Sequence, residues 1–97
     1  MLNNWKIRIS KQTENFLEVQ NLSDDFVREY ITLALRKFDR EDVNISIKKL
    51  SGKWEGFYRI RSGKIRIACS FSFKLKIVQI EEIDFRNTNP EEMFQFG

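Results

Sequence analysis

The stretch that decides the fold is FYRIRSGKIRIAC, which runs from Phe57 to Cys69. Two runs of alternating residues flank Ser62-Gly63, and this pattern is typical of two short antiparallel strands joined by a two-residue turn. Side chains alternate between the two faces of a strand. One face of the hairpin is therefore apolar and is expected to face a core. Its members are Tyr58, Ile60, Ile65 and Ile67.

The other face of the same hairpin is cationic. A loop at Ser62-Gly63 predicts that Arg61 lies opposite Lys64 and that Arg59 lies opposite Arg66. Like charges placed directly opposite each other destabilise a pair of strands, so the stability of the sheet gives no reason for this pattern. A bound anion does give a reason, and the phosphates of a nucleic acid are the obvious candidate.

Charge is distributed unevenly along the chain. Residues 47–76 carry nine basic side chains and one acidic side chain, although the net charge of the whole chain is only +3. A block this basic indicates a surface that binds a polyanion; a solvated basic face is the plain alternative, and the opposed cations of the hairpin favour binding. Trp54, in the same block, either stacks on a base or packs at the edge of the sheet. The lysines expected to contact nucleic acid are Lys48, Lys49, Lys53 and Lys64.

The N-terminal half predicts one strand and two helices. Residues 5–9 alternate between apolar and basic, which predicts a first strand. Ser10 is a suitable N-cap for a short helix from Lys11 to about Val19. A second, longer helix follows Ser23, and its apolar residues recur at spacings of three and four, so we expect it to cover one face of the sheet. The inward-facing residues of the short helix are expected to be Phe16, Leu17 and Val19.

The remaining strands are less regular. Residues 43–47 form either a short strand or an extended arm, and residues 72–74 are the expected turn after the hairpin. Residues 75–85 predict a strand whose apolar parity changes midway. Either both of its faces are buried, or a bulge lies near Glu81-Glu82. Pro90 is a suitable first residue for a short last helix.

The composition limits the class of protein. We expect residues 1–97 to form one α+β domain, in which an N-terminal strand and two helices precede an antiparallel three-stranded meander. No apolar run approaches the roughly 20 residues of a membrane span. The single cysteine, Cys69, lies in the apolar alternation and predicts a reduced core thiol in the cytoplasm. Because the chain has no histidine and no phosphate-binding glycine loop, we expect no metal and no cofactor.

Two parts of the sequence resemble the RelE/ParE toxin superfamily of bacterial toxin–antitoxin pairs. The first runs from Lys48 to Ile67 and contains the pattern YRIR-x-G-x-x-R, and the second is the segment IDFR at residues 83–86. The order of strand, two helices and meander is similar to the fold of that family. The resemblance covers nearly the whole chain up to Arg86.

The resemblance implies a toxin that a cognate antitoxin neutralises. RelE-like members are endoribonucleases that cut messenger RNA in the ribosomal A site without a metal, and they thereby inhibit translation. The 2′-hydroxyl attacks the neighbouring phosphate. By this resemblance, Arg66 and Arg86 clamp the phosphate, while Arg59 and Arg61 bind the backbone or stabilise the leaving group.

Two departures from the family pattern leave alternatives open. Many members have a tyrosine shortly after the late arginine, and none follows Arg86 here; RelE-like enzymes also often have lysine at the positions of Arg59 and Arg61. Arginine is a poor proton donor because it stays charged, so acid–base catalysis would fall to nearby carboxylates, for which ion pairing with the arginines is the favoured interpretation. The alternatives are a ParE-like inhibitor of DNA gyrase and a degenerate member that binds only RNA or its antitoxin. The carboxylates concerned are Glu81, Glu82 and Asp84.

Overall fold

The structure is a computed structural model that describes residues 4–85. Within this range, two helices and five strands follow one another as β1, α1, α2, β2, β3, β4 and β5, and a single 3₁₀ turn lies between β2 and β3. The strands are β1 Lys6–Ile9, β2 Ser46–Lys49, β3 Tyr58–Ser62, β4 Ile65–Ser72 and β5 Ile77–Phe85; the helices are α1 Lys11–Val19 and α2 Asp24–Phe38; and the 3₁₀ turn is Gly52–Trp54.

The strands form one sheet in the order β1-β5-β4-β3-β2. The strands β2 to β5 pair in antiparallel fashion as a meander, whereas β1 pairs in parallel with β5. The α+β class is therefore confirmed. The sheet has one strand more than the predicted meander, because residues 46–49 pair with β3 as an edge strand. Of the two interpretations of residues 43–47, the short strand is the closer, although it begins at Ser46.

Helix α1 is fixed at its start as its sequence predicts. The Ser10 hydroxyl accepts a hydrogen bond from the Thr13 backbone N–H at 3.2 Å, and the Ser10 Oγ also donates to the backbone carbonyl of Glu81. Gln12 adds two hydrogen bonds to the backbone of Ile83, at 2.9 and 3.0 Å. These contacts hold α1 against β5 at the point where that strand is irregular.

One predicted core residue of α1 is wrong. Val19 is 78% exposed, whereas Thr13 and Leu17 are buried. Positions 13 and 17 are one turn apart and share a helix face, but position 19 lies two residues beyond Leu17 and therefore points to the far side. The helical spacing of α1 therefore places the small polar Thr13 in the core and the apolar Val19 in solvent.

Helix α2 covers one face of the sheet, as predicted. Its buried residues pack with isoleucines of β3, β4 and β5 in a single hydrophobic cluster. Ser23 occupies the N-cap position with extended backbone angles, although its side chain makes no capping hydrogen bond. The helix residues in this core are Val27, Ile31, Ala34 and Leu35.

The register of the hairpin differs from the predicted one. The two loop residues are Gly63 and Lys64, not Ser62 and Gly63, so that Arg61 pairs with Arg66 and Arg59 pairs with Ala68. The backbone explains the difference, because Gly63 has a φ of 58°. A hairpin loop of type II′ needs a positive φ at its first central position, which favours glycine there.

The second irregularity is a β-bulge in β5. Ala68 pairs with Glu82 and Cys69 pairs with Ile80, which leaves Glu81 without a partner on β4. The bulge moves the apolar residues on both sides of it onto the same core face, where Ile80 and Ile83 are fully buried. Of the two alternatives for residues 75–85, the bulge is confirmed.

The turn between β4 and β5 is longer than predicted. Residues 73–76 form the turn, so β5 begins at Ile77 instead of Leu75. Lys76 has a φ of 56°, a conformation that interrupts a strand, and Leu75 is 67% exposed in the turn. No helix within residues 4–85 is long and apolar enough to cross a membrane.

Candidate nucleic-acid interface

The face of the sheet opposite the helices is polar, and two rows of side chains cross it. Each row follows the pairing of β2, β3, β4 and β5, and because alternate residues share a face, the members of both rows lie on the same side. The first row is Lys48, Arg59, Ala68 and Glu82, and the second row is Ser46, Arg61, Arg66 and Asp84. We call this surface the cationic face.

Arg59, Arg61 and Arg66 lie together on the cationic face, as the sequence predicts. Arg61 and Arg66 are directly opposite each other, and Arg66 is only 2% exposed. The pKa of Arg59 is lowered by burial and, to a smaller extent, by the charges of Arg61 and Arg66. The three guanidinium groups therefore repel one another, and a bound anion would relieve that repulsion.

Neither Arg59 nor Arg61 is locked in an ion pair. Within residues 4–85, the side-chain ion pairs closer than 4 Å are Lys11–Glu14 and Arg36–Glu41, and both lie away from this face. The Nε of Arg59 is buried and has no hydrogen-bond partner among the described residues. A buried donor without a partner costs free energy.

The carboxylates of β5 border the arginines on the same face. Glu82 lies across the small, fully buried Ala68 from Arg59, and Asp84 pairs with Arg66 in register. The pKa of Glu82 is raised by burial, then by Asp84 and Glu81, while Arg66 acts in the opposite direction. The favoured interpretation of these carboxylates was ion pairing with the arginines, but Glu82 and Asp84 make no ion pair within 4 Å in the described part of the chain.

A cleft of about 330 Å³ opens at the edge of the cationic face, beside Arg59. It brings together three of the four lysines that the sequence predicts for nucleic-acid contact. The fourth, Lys64, lies in the hairpin loop and not on the face, because the turn is one residue later than predicted. The residues that line the cleft are Lys48, Lys49, Leu50, Ser51, Lys53, Trp54 and Arg59.

Arg86 and the short helix predicted after Pro90 lie outside the described residues. Cys69 is fully buried and unbridged, and burial strongly raises the pKa of its thiol. A thiol in this state is a packed core group and not a nucleophile.

The sequence does not distinguish Glu82 from the neighbouring carboxylates Glu81 and Asp84. The signal that marks it is the pairing of Glu82 with Ala68, whose other cross-strand partner is Arg59. This pairing depends on the bulge at Glu81, since a regular strand would place a different residue opposite Ala68. A bulge next to a cluster of charged groups is a frequent feature of functional sites.

No protein-family model matches the sequence, and no curated protein matches it either. Solved structures, in contrast, do match the fold, and three are representative. The RelE of an archaeal RelE–RelB complex from Pyrococcus horikoshii is 23% identical, with 87% of this chain and 97% of that chain covered and a TM-score of 0.55.

The other two solved structures are of bacterial proteins. A YoeB–YefM toxin–antitoxin complex from Staphylococcus aureus matches at 19% identity, with 84% of this chain and 95% of that chain covered and a TM-score of 0.57. YafQ from Escherichia coli matches at 12% identity, with 96% and 99% covered and a TM-score of 0.56.

The chain therefore has the fold of the RelE, YoeB and YafQ toxins, and the resemblance stated from the sequence is confirmed at the level of the fold. The ParE half of that resemblance receives no support from these structures.

Proposed function

We propose that this protein, as one domain over residues 1–97, is the toxin of a toxin–antitoxin pair and acts in the cytoplasm as a metal-independent endoribonuclease on messenger RNA at the ribosome. The observation that carries the proposal is the grouping of Arg59, Arg61 and Arg66 on one face of the sheet, with Glu82 beside them. The fold shared with RelE, YoeB and YafQ supports it.

The arginines would perform the electrostatic part of the reaction. A phosphate that is attacked by a neighbouring hydroxyl gains negative charge in the transition state, and fixed cations stabilise that charge. Arg66, held at the centre of the face by burial, would bind the scissile phosphate together with Arg86. Arg59 and Arg61 would hold the adjacent backbone or the leaving oxygen, because a guanidinium offers paired donors to phosphate oxygens.

Glu82 is our candidate for the general base. Its raised pKa brings the carboxylate nearer to the pH at which it must accept a proton. The Glu82 carboxylate takes the proton of the 2′-hydroxyl, the 2′-oxygen forms a bond to phosphorus, and the bond between phosphorus and the 5′-oxygen breaks. The products are a 2′,3′-cyclic phosphate and a 5′-hydroxyl, whose proton comes from water.

The spacing between Arg59 and Glu82 suits a phosphate between them. Their strands are two sheet spacings apart, roughly 9–10 Å, and the side chain between them is the small Ala68.

The partner that we propose is a cognate antitoxin. The RelE of Pyrococcus horikoshii and the YoeB of Staphylococcus aureus were crystallised with RelB and YefM, respectively. A partner that inhibits the chain by covering the β2–β3 side of the cationic face would need an acidic segment, since that side carries Lys48, Arg59 and Arg61. Mixed at low salt, such an antitoxin should prevent RNA from binding.

The decisive experiment combines expression and purified components. Expression of the wild-type chain should arrest translation, and cleavage sites should be found in messenger RNA on ribosomes. The variants Arg59→Ala and Arg66→Ala should restore growth, whereas Lys74→Ala, which removes a cation from the turn at residues 73–76 and not from the rows of the cationic face, should remain toxic. Circular dichroism and thermal melting must show that each variant is folded. If both folded arginine variants arrest growth as strongly as the wild type, the proposed function is wrong.

A further inference from the structure

The cleft beside Arg59 is built by a loop with a defined backbone. Residues 50–57 connect β2 to β3, and the Leu50 N–H donates to the Phe57 carbonyl at 2.9 Å, which closes the loop at its base. Inside the loop, the Trp54 N–H donates to the Ser51 carbonyl at 3.1 Å, and the Phe57 N–H donates to the Trp54 carbonyl at 3.0 Å. Gly52 takes a φ of 65° at the start of the 3₁₀ turn. The loop therefore holds Trp54 in a fixed place.

Trp54 lines the cleft and is only partly buried. Its ring packs at right angles against the ring of Phe57, with 5.4 Å between the centroids. This contact anchors the indole, while the ring still lines the cleft. The packing role considered from the sequence is thus present, and it leaves surface for a ligand.

Among residues 4–85, the lining of the cleft combines one aromatic ring with cations and includes no carboxylate. The cations of this described lining are Lys48, Lys49, Lys53 and Arg59. Arg59 belongs both to the cleft and to the cationic face, so the two sites are continuous.

We infer that this cleft is a subsite for one nucleotide of single-stranded RNA, next to the phosphate held on the cationic face. The base stacks on Trp54, and the phosphate of that nucleotide binds Arg59 and the lysines. Stacking on an aromatic side chain beside a basic groove is the usual way in which proteins hold single strands without reading their sequence. A volume of about 330 Å³ is at the small end of ligand sites, roughly 300–1,000 Å³, and suits one nucleotide. The inference rests on the proposed function and adds a substrate position to it.

Tryptophan fluorescence tests the stacking directly. The chain has two tryptophans, so a Trp5→Phe variant leaves Trp54 as the only source of tryptophan emission. The probe is a five-nucleotide 2′-O-methyl RNA, which cannot be cut because its 2′-hydroxyls are blocked. It should quench Trp54 emission in a saturable way, whereas the same length of abasic backbone should bind without quenching. An acidic peptide of equal charge that quenches as strongly as the RNA would overturn the inference and indicate a protein segment in the cleft.

Substitution measures the contribution of the ring. Trp54→Leu should weaken binding of the 2′-O-methyl RNA about tenfold, which corresponds to about 1.4 kcal/mol, and Trp54→Phe should keep most of the affinity because it keeps an aromatic face. Lys53→Gln should weaken binding and lower its salt dependence, whereas Lys74→Gln, with the same change of charge at a residue that does not line the cleft, should bind as the wild type does. Thermal melting checks that each variant is folded.

The outcomes separate this inference from the proposed function. If the wild type cuts messenger RNA and a folded Trp54→Leu variant binds and cuts equally well, the subsite is wrong and the proposed function stands. If Trp54 is quenched as described but the wild type cuts no RNA, the subsite stands as an RNA-binding site and the endoribonuclease is wrong. If the wild type does not bind the RNA at all, both are wrong.

Discussion

The two faces of β3 and β4 are built from alternate residues of the same stretch, yet opposite demands act on them. The core face carries Ile60 and Ile67, which are both fully buried beneath the helices. The opposite face carries Arg61 and Arg66 as a directly opposed pair. Burial of each isoleucine stabilises the fold by about 1.5–3 kcal/mol, whereas the opposed cations act against it. The core face therefore stabilises the sheet, whereas the cationic face lowers that stability by placing like charges opposite each other.

The largest effect that would test this comparison is expected on the core face. Ile67→Ala removes a fully buried side chain at the centre of the hydrophobic cluster and should lower the free energy of unfolding by about 2–5 kcal/mol, because of the cavity that it leaves. Urea denaturation followed by circular dichroism measures this. A loss below about 1 kcal/mol would mean that the core does not depend on this face.

Glu82→Gln should separate catalysis from folding. We expect the rate of RNA cleavage to fall on the order of 10²-fold, as is usual when a general base is lost, with RNA affinity unchanged. The matched control is Asp84→Asn, a neighbouring carboxylate on the same face, which should retain most of the rate. Equal losses in the two variants would contradict a specific role for Glu82.

The raised pKa of Glu82 also predicts opposite pH trends for activity and stability. As the pH falls through that pKa, the base becomes protonated and cleavage slows. Folding stability changes the other way: a carboxyl whose pKa is higher in the folded chain than in the unfolded chain binds its proton more readily when folded, so its contribution to stability decreases as the pH rises from the unfolded pKa through the folded one. Glu82→Gln should abolish both trends, as pH–rate profiles and urea denaturation at several pH values would show.

A smaller effect is expected for Arg61→Ala on the cationic face. Binding of single-stranded RNA should weaken, and the slope of log affinity against log salt should decrease by about one, because one phosphate contact is lost. Thermal stability should stay the same or rise slightly, since the repulsion between Arg61 and Arg66 is removed. A clear drop in melting temperature, with RNA affinity unchanged, would make Arg61 a structural residue instead.

The smallest effect is expected for Lys64→Gln. This residue lies in the hairpin loop and not in the rows of the cationic face, so RNA affinity and stability should both change by less than about 0.5 kcal/mol. Lys53→Gln is the comparison, because Lys53 lines the cleft. If Lys64→Gln weakens binding as much as Lys53→Gln does, the hairpin loop also contacts RNA.

Sequence reasoning succeeded where the signal is local. The cap at Ser10 and the bounds of α1 follow from neighbouring residues along the chain, and the alternation from Tyr58 to Ile67 assigns the isoleucines and the arginines to opposite faces whatever the register. It failed where a distant partner decides the outcome. The bulge at Glu81 and the start of β5 at Ile77 depend on how the chain pairs and turns in three dimensions. The loop at Gly63-Lys64 and the exposure of Val19, in contrast, follow from two local rules that alternation alone does not contain: the preference of a type II′ loop for glycine at its first position and the helical spacing from Leu17.

The amino-acid sequence by itself determined that the basic and apolar residues of the hairpin lie on opposite faces of the sheet. They alternate along the chain, and the side-chain period of a strand is a property of its backbone. Only the tertiary structure decided which cations meet. The positive φ of Gly63 set the pairing of Arg61 with Arg66, and the bulge at Glu81 set Glu82 opposite Ala68. Register and bulges depend on backbone geometry and cross-strand partners, which no short stretch of sequence contains.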